Sequence, residues 1–241
     1  MSTLNGGPGN IVTSGLVLYL DAANYLSYTS GSTTWNDLSG NNNSGSLVNG
    51  PTFSSTNAGS IVFDGTNDYV GLGTPSVLNI TSSLTINTWV NLTAFPVNEN
   101  ATMYEKGYDN INDQTFLRFN NQSSINAIDC GTYGGNNYLT RLTLTGSYAN
   151  LITTGSWNNI TGQYDGSSWN LYVNGTLLSQ TITNQGPKPS TSPVSIGAAY
   201  ISTGYFRFLN GRVASTQIYS RALTASEVLQ NYNATKARFG L

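Results

Sequence analysis

The sequence predicts an all-β fold, a two-sheet antiparallel jelly-roll sandwich with one short C-terminal helix. Short runs of β-forming residues recur along the chain, and turn-forming dipeptides separate them. The clearest run extends from Leu84 to Leu92, where apolar residues and threonine alternate with a second, mixed set of side chains. Regularly spaced strands and turns of this kind are typical of sandwiches and jelly rolls.

The N-terminal part of the chain contains three further predicted strands. The apolar run from Leu16 to Leu20 indicates a buried strand. Residues 60–63 and 68–72 are β-forming runs on either side of the tight-turn dipeptide Asp64-Gly65. These segments supply strands to the predicted sandwich.

The second half of the chain predicts a three-stranded meander and one more strand pair. The meander strands are joined by Asp165-Gly166 and Asn174-Gly175, and they cover residues 157–164, 169–173 and 176–182. A further pair, 205–209 and 212–219, surrounds Asn210-Gly211 and is predicted to be a hairpin. Trp157 and Trp169 lie on these predicted strands, and Trp89 lies on the predicted strand from Leu84 to Leu92. We expect all three side chains to be buried or half-buried.

One helix is predicted near the C-terminus. Thr224 is a good N-cap, and Glu227 three residues later completes a capping box. Val228, Leu229 and Tyr232 follow at helical spacing and are expected to face a sheet.

Composition excludes several classes of protein. The chain has 241 residues, of which 38% are hydrophobic, so it can bury a substantial core. We expect an N-terminal arm at residues 1–14 and one jelly-roll domain at residues 15–241. The net charge is −2 and the basic residues are scattered, which argues against a nucleic-acid partner. No apolar run reaches the ~18 residues that would span a bilayer, so no membrane insertion is expected.

The residues for several catalytic or metal chemistries are missing. There is no histidine, which argues against zinc sites and histidine-based triads. The single cysteine, Cys130, cannot form an internal disulfide and is predicted to be a small buried hydrophobe.

The order of several motifs resembles a known family, the laminin-G-like, concanavalin-type jelly rolls. Residues 60–70 (SIVFDGTNDYV) resemble the family's opening signature, and residues 84–90 (LTINTWV) resemble its next strand. The segments 157–166 and 169–175 are similar to its central hairpin. Its closing strands and helix match residues 195–197, 209–213 and 218–227. The usual histidine after the first tryptophan of the hairpin is replaced by Asn158 and Asn159.

The two ends of the chain resemble a narrower group, the laminin-G-like proteins of tailed-phage virions. The resemblance lies in residues 15–24, 34–41 and 231–241. It implies a structural protein of the particle (a capsid decoration protein, a head fibre or a tail-associated adhesin) made in the host cytoplasm. The first ten residues lack the basic and apolar regions of a secretory signal, in agreement with that location. The implied partners are other virion proteins or a homo-oligomer, with cell-surface glycan as a further partner.

Some relatives by fold hydrolyse glycans, so catalysis needs to be examined. A retaining glycosidase needs two carboxylates about 5 Å apart. The chain has three glutamates, Glu99, Glu105 and Glu227, and none has a carboxylate partner on one face of a convincing strand. The Glu-x-Asp-x-x-Glu pattern of related endoglucanases is absent as well. We therefore predict that the protein is not an enzyme.

The family resemblance implies calcium binding, which many laminin-G-like domains show. The candidate ligands are Asp64, Asn67 and Asp68, because carboxylates and carbonyl oxygens suit a hard cation. The alternative is that these side chains only form the turn, through hydrogen bonds to the backbone. A second candidate is the loop from Glu105 to Asp113, for which a solvated loop is the alternative.

Glycan binding needs aromatic surfaces with amide or carboxylate groups beside them. Tyrosines and asparagines in three predicted loops meet this requirement, and loops on a rigid sandwich often carry binding residues. The candidates are Tyr108, Tyr133, Asn136, Asn137, Tyr138 and Tyr200. The alternative is that these tyrosines cover loop backbone or fill a subunit contact.

Two functions remain open from the sequence. The first is a non-enzymatic structural and adhesion protein of a phage particle. The second is a free carbohydrate-binding lectin, with or without calcium.

Overall fold

The computed structural model describes residues 10–107, 112–122, 124–134, 137–201 and 204–241, and for residues 112–114, 134, 137 and 138 it describes the backbone. The regular secondary structure of the described chain is mostly β-strand, with one α-helix near the C-terminus. The predicted all-β sandwich with a C-terminal helix is therefore confirmed. No helix among the described residues is long and apolar enough to cross a membrane.

Four 3₁₀-helices (Thr56–Ala58, Ser76–Leu78, Gly146–Tyr148 and Lys236–Phe239), one α-helix and eighteen strands account for the regular structure of the described chain. The first nine strands are β1 (Leu16–Asp21), β2 (Thr34–Trp35), β3 (Gly45–Val48), β4 (Thr52–Ser54), β5 (Ser60–Asp64), β6 (Tyr69–Gly73), β7 (Leu84–Leu92), β8 (Asn100–Lys106) and β9 (Asn112–Asn120). The others are β10 (Ala127–Gly134), β11 (Asn137–Thr143), β12 (Trp157–Tyr164), β13 (Ser168–Val173), β14 (Thr176–Ile182), β15 (Val194–Ile196), β16 (Ala199–Ile201), β17 (Gly204–Phe206) and β18 (Asn210–Tyr219), followed by α1 (Ala225–Thr235).

The strands form two large antiparallel sheets. The first sheet has the order β14-β13-β12-β7-β18-β5-β4, and β1 pairs with the C-terminal half of β18. The second sheet has the order β11-β10-β9-β8-β15-β6-β3-β2. Strands β16 and β17 form a separate hairpin. The turn after Asp64 joins β5 of the first sheet to β6 of the second, so it crosses between the layers.

The core lies between the inner faces of the two sheets. The predicted alternation in β7 is confirmed, since Leu84, Ile86 and Val90 are buried in this core. Cys130 is a free, fully buried thiol, and burial raises its pKa. A Cβ atom at Gly162 would lie 2.7 Å from the Cβ atom of Cys130, so the sheets approach too closely there for any larger residue.

Helix α1 packs on the outer face of the first sheet. The capping box is confirmed: the Thr224 hydroxyl accepts from the Glu227 amide at 3.3 Å, and the Glu227 carboxylate accepts from the Thr224 amide at 2.8 Å. Val228 is buried against that sheet, and the ring of Tyr232 stacks on Trp89. Leu229, which was expected to face the sheet, is 44% exposed.

The predicted meander is confirmed as β12, β13 and β14, but the predicted hairpin around Asn210-Gly211 is wrong. Both residues belong to β18, where they pair with Asp64 and Phe63 of β5. Neither has the positive φ that a two-residue hairpin turn of this type requires. Strand β17 pairs with β16 instead.

Residues 10–14, the described part of the predicted N-terminal arm, pack against the sandwich domain of the same chain. Ile11 and Val12 are buried. The Val12 amide donates to Asn231 Oδ1 at 2.8 Å, and the Val12 carbonyl accepts from the Tyr219 hydroxyl at 3.0 Å. Residues 10–14 are thus part of the packed fold, and residues 1–9 lie outside the described chain.

Candidate functional site

A row of polar and charged residues crosses the outer face of the second sheet. The register places Thr102 of β8 beside Arg118 of β9, Arg118 beside Asp129 of β10, and Asp129 beside Arg141 of β11. Residues one position away, such as Leu117, point to the opposite face and lie in the core. One side of these strands therefore builds the hydrophobic core, and the other carries charge.

Asp129 is the acceptor that holds this row together. It is fully buried, and its two oxygens accept from Arg141 Nε at 2.7 Å and from a terminal nitrogen of Arg141 at 2.9 Å. Asn120 Nδ2 donates to the same carboxylate at 2.8 Å. Both oxygens accept hydrogen bonds, so Asp129 has a structural role in joining β9, β10 and β11.

Arg118 lies in the middle of the row and is nearly fully buried. Its guanidinium stacks over the ring of Phe116 at 3.8 Å, and its Nε atom lies 3.7 Å from the nearer oxygen of Asp129. Burial, followed by the positive charge of Arg207, lowers the pKa of Arg118 to about 10. Two guanidinium groups are therefore close enough to repel each other at this point of the surface.

A cleft of about 390 Å³ opens near Asn100 and Arg207. Three segments that are distant in sequence form its walls: the turn at Gly65, residues 94–101, and residues 206–210. Its lining includes three aromatic side chains, Phe95, Phe206 and Phe208, and a set of amides and charged groups that contains Asn100, Glu99 and Arg207. Gly65 is required in this wall, because a Cβ atom there would lie 2.7 Å from the Cβ atom of Asn210.

Asn100 supplies a polar group with unfilled hydrogen-bonding capacity. Its side chain is almost fully buried, and neither its oxygen nor its nitrogen has a hydrogen-bond partner in the described structure. A buried polar group without a partner costs about 1–3 kcal/mol. Such a group in a native protein calls for an explanation, and a bound water or ligand is the usual one.

Arg207 is the second unusual residue of the cleft. Its φ of 58° is in the left-handed region, which is uncommon for a residue other than glycine. The guanidinium lies over the ring of its neighbour Phe206, 4.5 Å from the centroid, and forms no hydrogen bond or ion pair with any described residue. Unusual backbone conformations of this kind concentrate at functional sites.

The turn predicted to bind calcium is held by its own hydrogen bonds. Asp64 Oδ1 accepts from the Thr66 amide at 2.7 Å and from the Asn67 amide at 3.3 Å, and the first of these bonds holds the pKa of Asp64 below its usual value. Asp68 Oδ2 accepts from the Asp64 amide at 3.1 Å, while burial raises the pKa of Asp68.

These contacts describe a tight turn and do not fit a preformed calcium cage, which takes six to eight oxygen ligands. The described residues contain no group of three or more acidic, histidine or cysteine side chains that could hold a metal ion. Of the second calcium candidate, the loop from Glu105 to Asp113, residues 108–111 lie outside the described chain. The Asp64–Asp68 turn does border the cleft, through Gly65.

Three of the six glycan candidates proposed from the sequence lie together, at the paired ends of β10 and β11. Tyr133 and Asn137 were expected in a loop but are cross-strand partners at the end of β10 and β11, and Tyr138 is the partner of Thr132. Tyr200 lies in β16, where its ring contacts Tyr205, which stacks on Tyr69 at 3.8 Å. Strand pairing thus extends further than the glycine-rich sequence suggested. Tyr108 and Asn136 lie outside the described chain, and the roles of all six residues stay predictions.

Sequence reasoning missed the residues of the cleft. Gly65, Asn100 and Arg207 lie in three separate segments, and no spacing relates them. One local signal was present, because Phe206-Arg207-Phe208 places a cation between two aromatic rings.

Comparison with known proteins places the chain in a family. The family model described as the concanavalin A-like lectin/glucanases superfamily matches residues 64–229. The chain belongs to this superfamily. The resemblance to laminin-G-like, concanavalin-type jelly rolls is thereby confirmed, while the resemblance of the chain's ends to phage virion proteins stays a prediction. No curated protein matches the sequence significantly.

Several solved structures share the superfamily fold. Domain 4 of AbnA, an extracellular arabinanase from Geobacillus stearothermophilus in complex with arabinotriose, has a TM-score of 0.66 and 16% identity, over 91% of this chain and 98% of that one. The binding domain of botulinum neurotoxin DC in complex with SialylT has a TM-score of 0.66 and 12% identity, over 92% of this chain and 52% of that one. Trypanosoma rangeli sialidase in complex with sialic acid has a TM-score of 0.67 and 15% identity, over 95% of this chain and 34% of that one.

These likenesses show the fold alone. The chain spans about half the length of the toxin binding domains that it matches. Both binding domains and an enzyme occur among the similar structures, so the function has to be argued from the site.

Proposed function

We propose that this chain is a non-catalytic glycan-binding module and that the cleft bounded by Gly65, residues 94–101 and residues 206–210 holds the sugar. The observation that carries the proposal is the buried, unpartnered amide of Asn100 among three phenylalanine rings. Sugars present apolar C–H faces to aromatic rings and hydroxyl groups to amides. Ligand sites commonly combine aromatic side chains with a few convergent polar groups, and this cleft contains both.

The rings that line the cleft are held in place by their surroundings. Phe95 packs edge-on against the buried ring of Phe119, with 6.0 Å between centroids. Phe206 ends β17 and lies beneath the guanidinium of Arg207. A sugar that binds here therefore meets surfaces that need little reorganisation, which lowers the entropic cost of binding.

Two further observations support binding without catalysis. Among the described residues that line the cleft, Glu99 is the one carboxylate, whereas glycosidases take a pair. The buried carboxylate of Asp129 is engaged by Arg141 and Asn120. Similar structures include an arabinanase domain in complex with arabinotriose, which agrees with a glycan ligand.

A glycan array on the full chain tests this proposal. We expect Phe206→Ala and Asn100→Ala to weaken binding by about tenfold or more, because each removes a side chain that lines the cleft. Tyr25→Ala is the matched control, since Tyr25 is 68% exposed and does not line the cleft. Mass spectrometry of the bound oligosaccharide should find it intact after prolonged incubation. Failure to retain any glycan, or equal effects of Phe206→Ala and Tyr25→Ala, would refute the proposal.

The particle-borne role is proposed on a different basis, the resemblance of residues 15–24, 34–41 and 231–241 to virion proteins. In that role the module is displayed on a phage particle as a decoration, head-fibre or tail-associated protein, with other virion proteins or further copies of itself as partners. The alternative is a free lectin.

Light scattering on the full chain and on a version without residues 1–9 tests self-assembly. The deletion stops before Asn10 because residues 10–14 pack against α1. A closed oligomer that needs residues 1–9 would support the particle-borne role. A monomer that is indifferent to the deletion would favour the free lectin.

A further inference from the structure

We propose that the sugar held in this cleft is acidic, and that Arg207 binds its carboxylate group. The inference rests on the proposed function and narrows it to a class of ligand, sugars of the sialic or uronic acid type. It is carried by an unpaired guanidinium inside a cleft that also contains an unpartnered buried amide.

Among the guanidinium groups near the cleft, that of Arg207 is the one that has no salt bridge with a described residue. Arg118, Arg141 and Arg207 lie on or above the outer face of the second sheet, where the carboxylates are Glu105 and Asp129. Asp129 binds Arg141 through both oxygens and has Arg118 at 3.7 Å. Glu99 lines the same cleft, but Arg207 forms no ion pair with it or with any other described residue, so the guanidinium is open to an anion.

Arg207 lies close to the guanidinium of the buried Arg118, which strengthens the argument for a bound anion. Two like charges that are partly removed from water repel each other unless an anion compensates them. Side-chain entropy would let a free arginine swing into solvent, yet Arg207 is half-buried over Phe206. A bound carboxylate would compensate the charge that this arrangement concentrates.

The geometry suits a planar anion. A guanidinium that lies over an aromatic ring keeps its edge N–H groups free, and two such groups pair with the two oxygens of a carboxylate. Arg207 combines a left-handed backbone, which costs energy in a residue other than glycine, with a side chain that lines the cleft. Asn100 remains available for a hydroxyl group of the same sugar.

Glu99 opposes an anion at the edge of the cleft. It is exposed, lines the cleft, and forms no salt bridge with Arg207. Its charge is therefore expected to weaken the binding of an acidic sugar, and Glu99→Gln should strengthen it. Substitution of Glu99 is thus expected to raise the affinity for an acidic sugar, whereas substitution of Arg207 is expected to lower it.

The test uses sugars that differ by their acidic group. Isothermal titration of the full chain compares 3′-sialyllactose with lactose, and trigalacturonic acid with its methyl-esterified form. We expect one acidic sugar of the two pairs to bind about tenfold tighter than its neutral counterpart. Arg207→Gln should abolish the difference, Arg207→Lys should retain part of it, and Glu99→Gln should enlarge it. Arg212→Gln is the matched control, because Arg212 lies in β18 and does not line the cleft.

The outcomes separate this inference from the proposed function. Equal binding of acidic and neutral sugars, lost in Phe206→Ala but unchanged in Arg207→Gln, would overturn the inference and leave the glycan site in place. An acidic preference that survives Arg207→Gln would overturn the assignment to Arg207. Absence of binding to any sugar would overturn both proposals. Thermal unfolding of each variant establishes that a loss of binding is not a loss of fold.

Discussion

The main-chain amide of Thr102 donates a hydrogen bond to the carbonyl oxygen of Arg207 at 3.0 Å. This bond ties the segment after β17 to the middle of β8, on the outer face of the second sheet. The guanidinium of Arg207 is consequently held near Arg118, and the cleft wall is attached to the charged row beside it. The geometry of the cleft thus depends on strand pairing far from it in sequence.

Replacing Asn100 by leucine is expected to stabilise the protein while it weakens glycan binding. The buried amide has no partner, and an apolar side chain of similar shape removes its desolvation cost. The free energy of unfolding should rise by about 1 kcal/mol, or about 2–4 °C in the midpoint of thermal unfolding. Scanning calorimetry measures this change. A clear loss of stability would mean that the amide is satisfied in solution.

Gly162→Ala is expected to destabilise the protein by about 1–3 kcal/mol, because the core has no room for another methyl group. The added Cβ atom would lie 2.7 Å from Cys130 Cβ and 3.1 Å from Leu117 Cδ1. Gly71→Ala is the matched control, since its Cβ atom would meet nothing nearer than Tyr69 at 3.4 Å. Chemical denaturation of both variants should show a large effect at position 162 and a small one at position 71.

Arg141→Met should destabilise the protein by about 2 kcal/mol or more, because it leaves the buried carboxylate of Asp129 without its bidentate partner. The double variant Asp129→Asn/Arg141→Met should lose less stability than the two single variants added together. A double-mutant cycle by urea unfolding measures the coupling. Strict additivity would show that the pair does not interact in solution.

A fall in pH should weaken the attachment of α1 to the first sheet, because it protonates the Glu227 carboxylate. Hydrogen bonds from Arg221 and from the Thr224 amide lower the pKa of Glu227 from 4.5 to about 2 in the folded chain. A lowered folded pKa contributes stability that is fully present above about pH 4.5 and is lost as the pH falls towards 2. Glu227→Gln should therefore be less stable than the parent at pH 7, and the difference should shrink between pH 4.5 and 2. Thermal unfolding across this range measures it, and a constant difference would contradict the assignment.

Calcium is expected to leave the stability nearly unchanged, because backbone amides already occupy carboxylate oxygens of Asp64 and Asp68. A ligand that binds only the folded state raises the unfolding temperature in proportion to its affinity and concentration. Unfolding in millimolar calcium and in chelator should thus coincide within about 1 °C. A shift of several degrees that Asp68→Asn removes would instead establish the turn as a calcium site.

Local patterns were enough to predict much of the fold. The alternation from Leu84 to Leu92 placed one face of β7 in the core, and Asn174-Gly175 marked the turn of a real hairpin. The capping box of Thr224 and Glu227 located the helix to the residue. Each of these signals depends on residues within a few positions of one another, where backbone geometry relates side chains directly.

A local turn signal gave a wrong prediction at a place where pairing with another strand determines the backbone conformation. Asn210-Gly211 has the composition of a tight turn, yet pairing with β5 keeps both residues in an extended strand. Hydrogen bonds and close packing across the sheet outweigh the local preference of two residues.

The sequence by itself determined the class of fold, the family and the polar, weakly charged character of the chain. Only the tertiary structure decided where a ligand could bind, because Gly65, Asn100 and Arg207 are brought together by strands that cross between the two sheets. The burial of Asp129 likewise depends on the registers of β9, β10 and β11. The periodicity of side chains along a strand or helix is a local property of the backbone, so the sequence of one segment reveals it. A cleft and the charges that line it arise from the packing of distant segments, and no pattern within one segment predicts that packing.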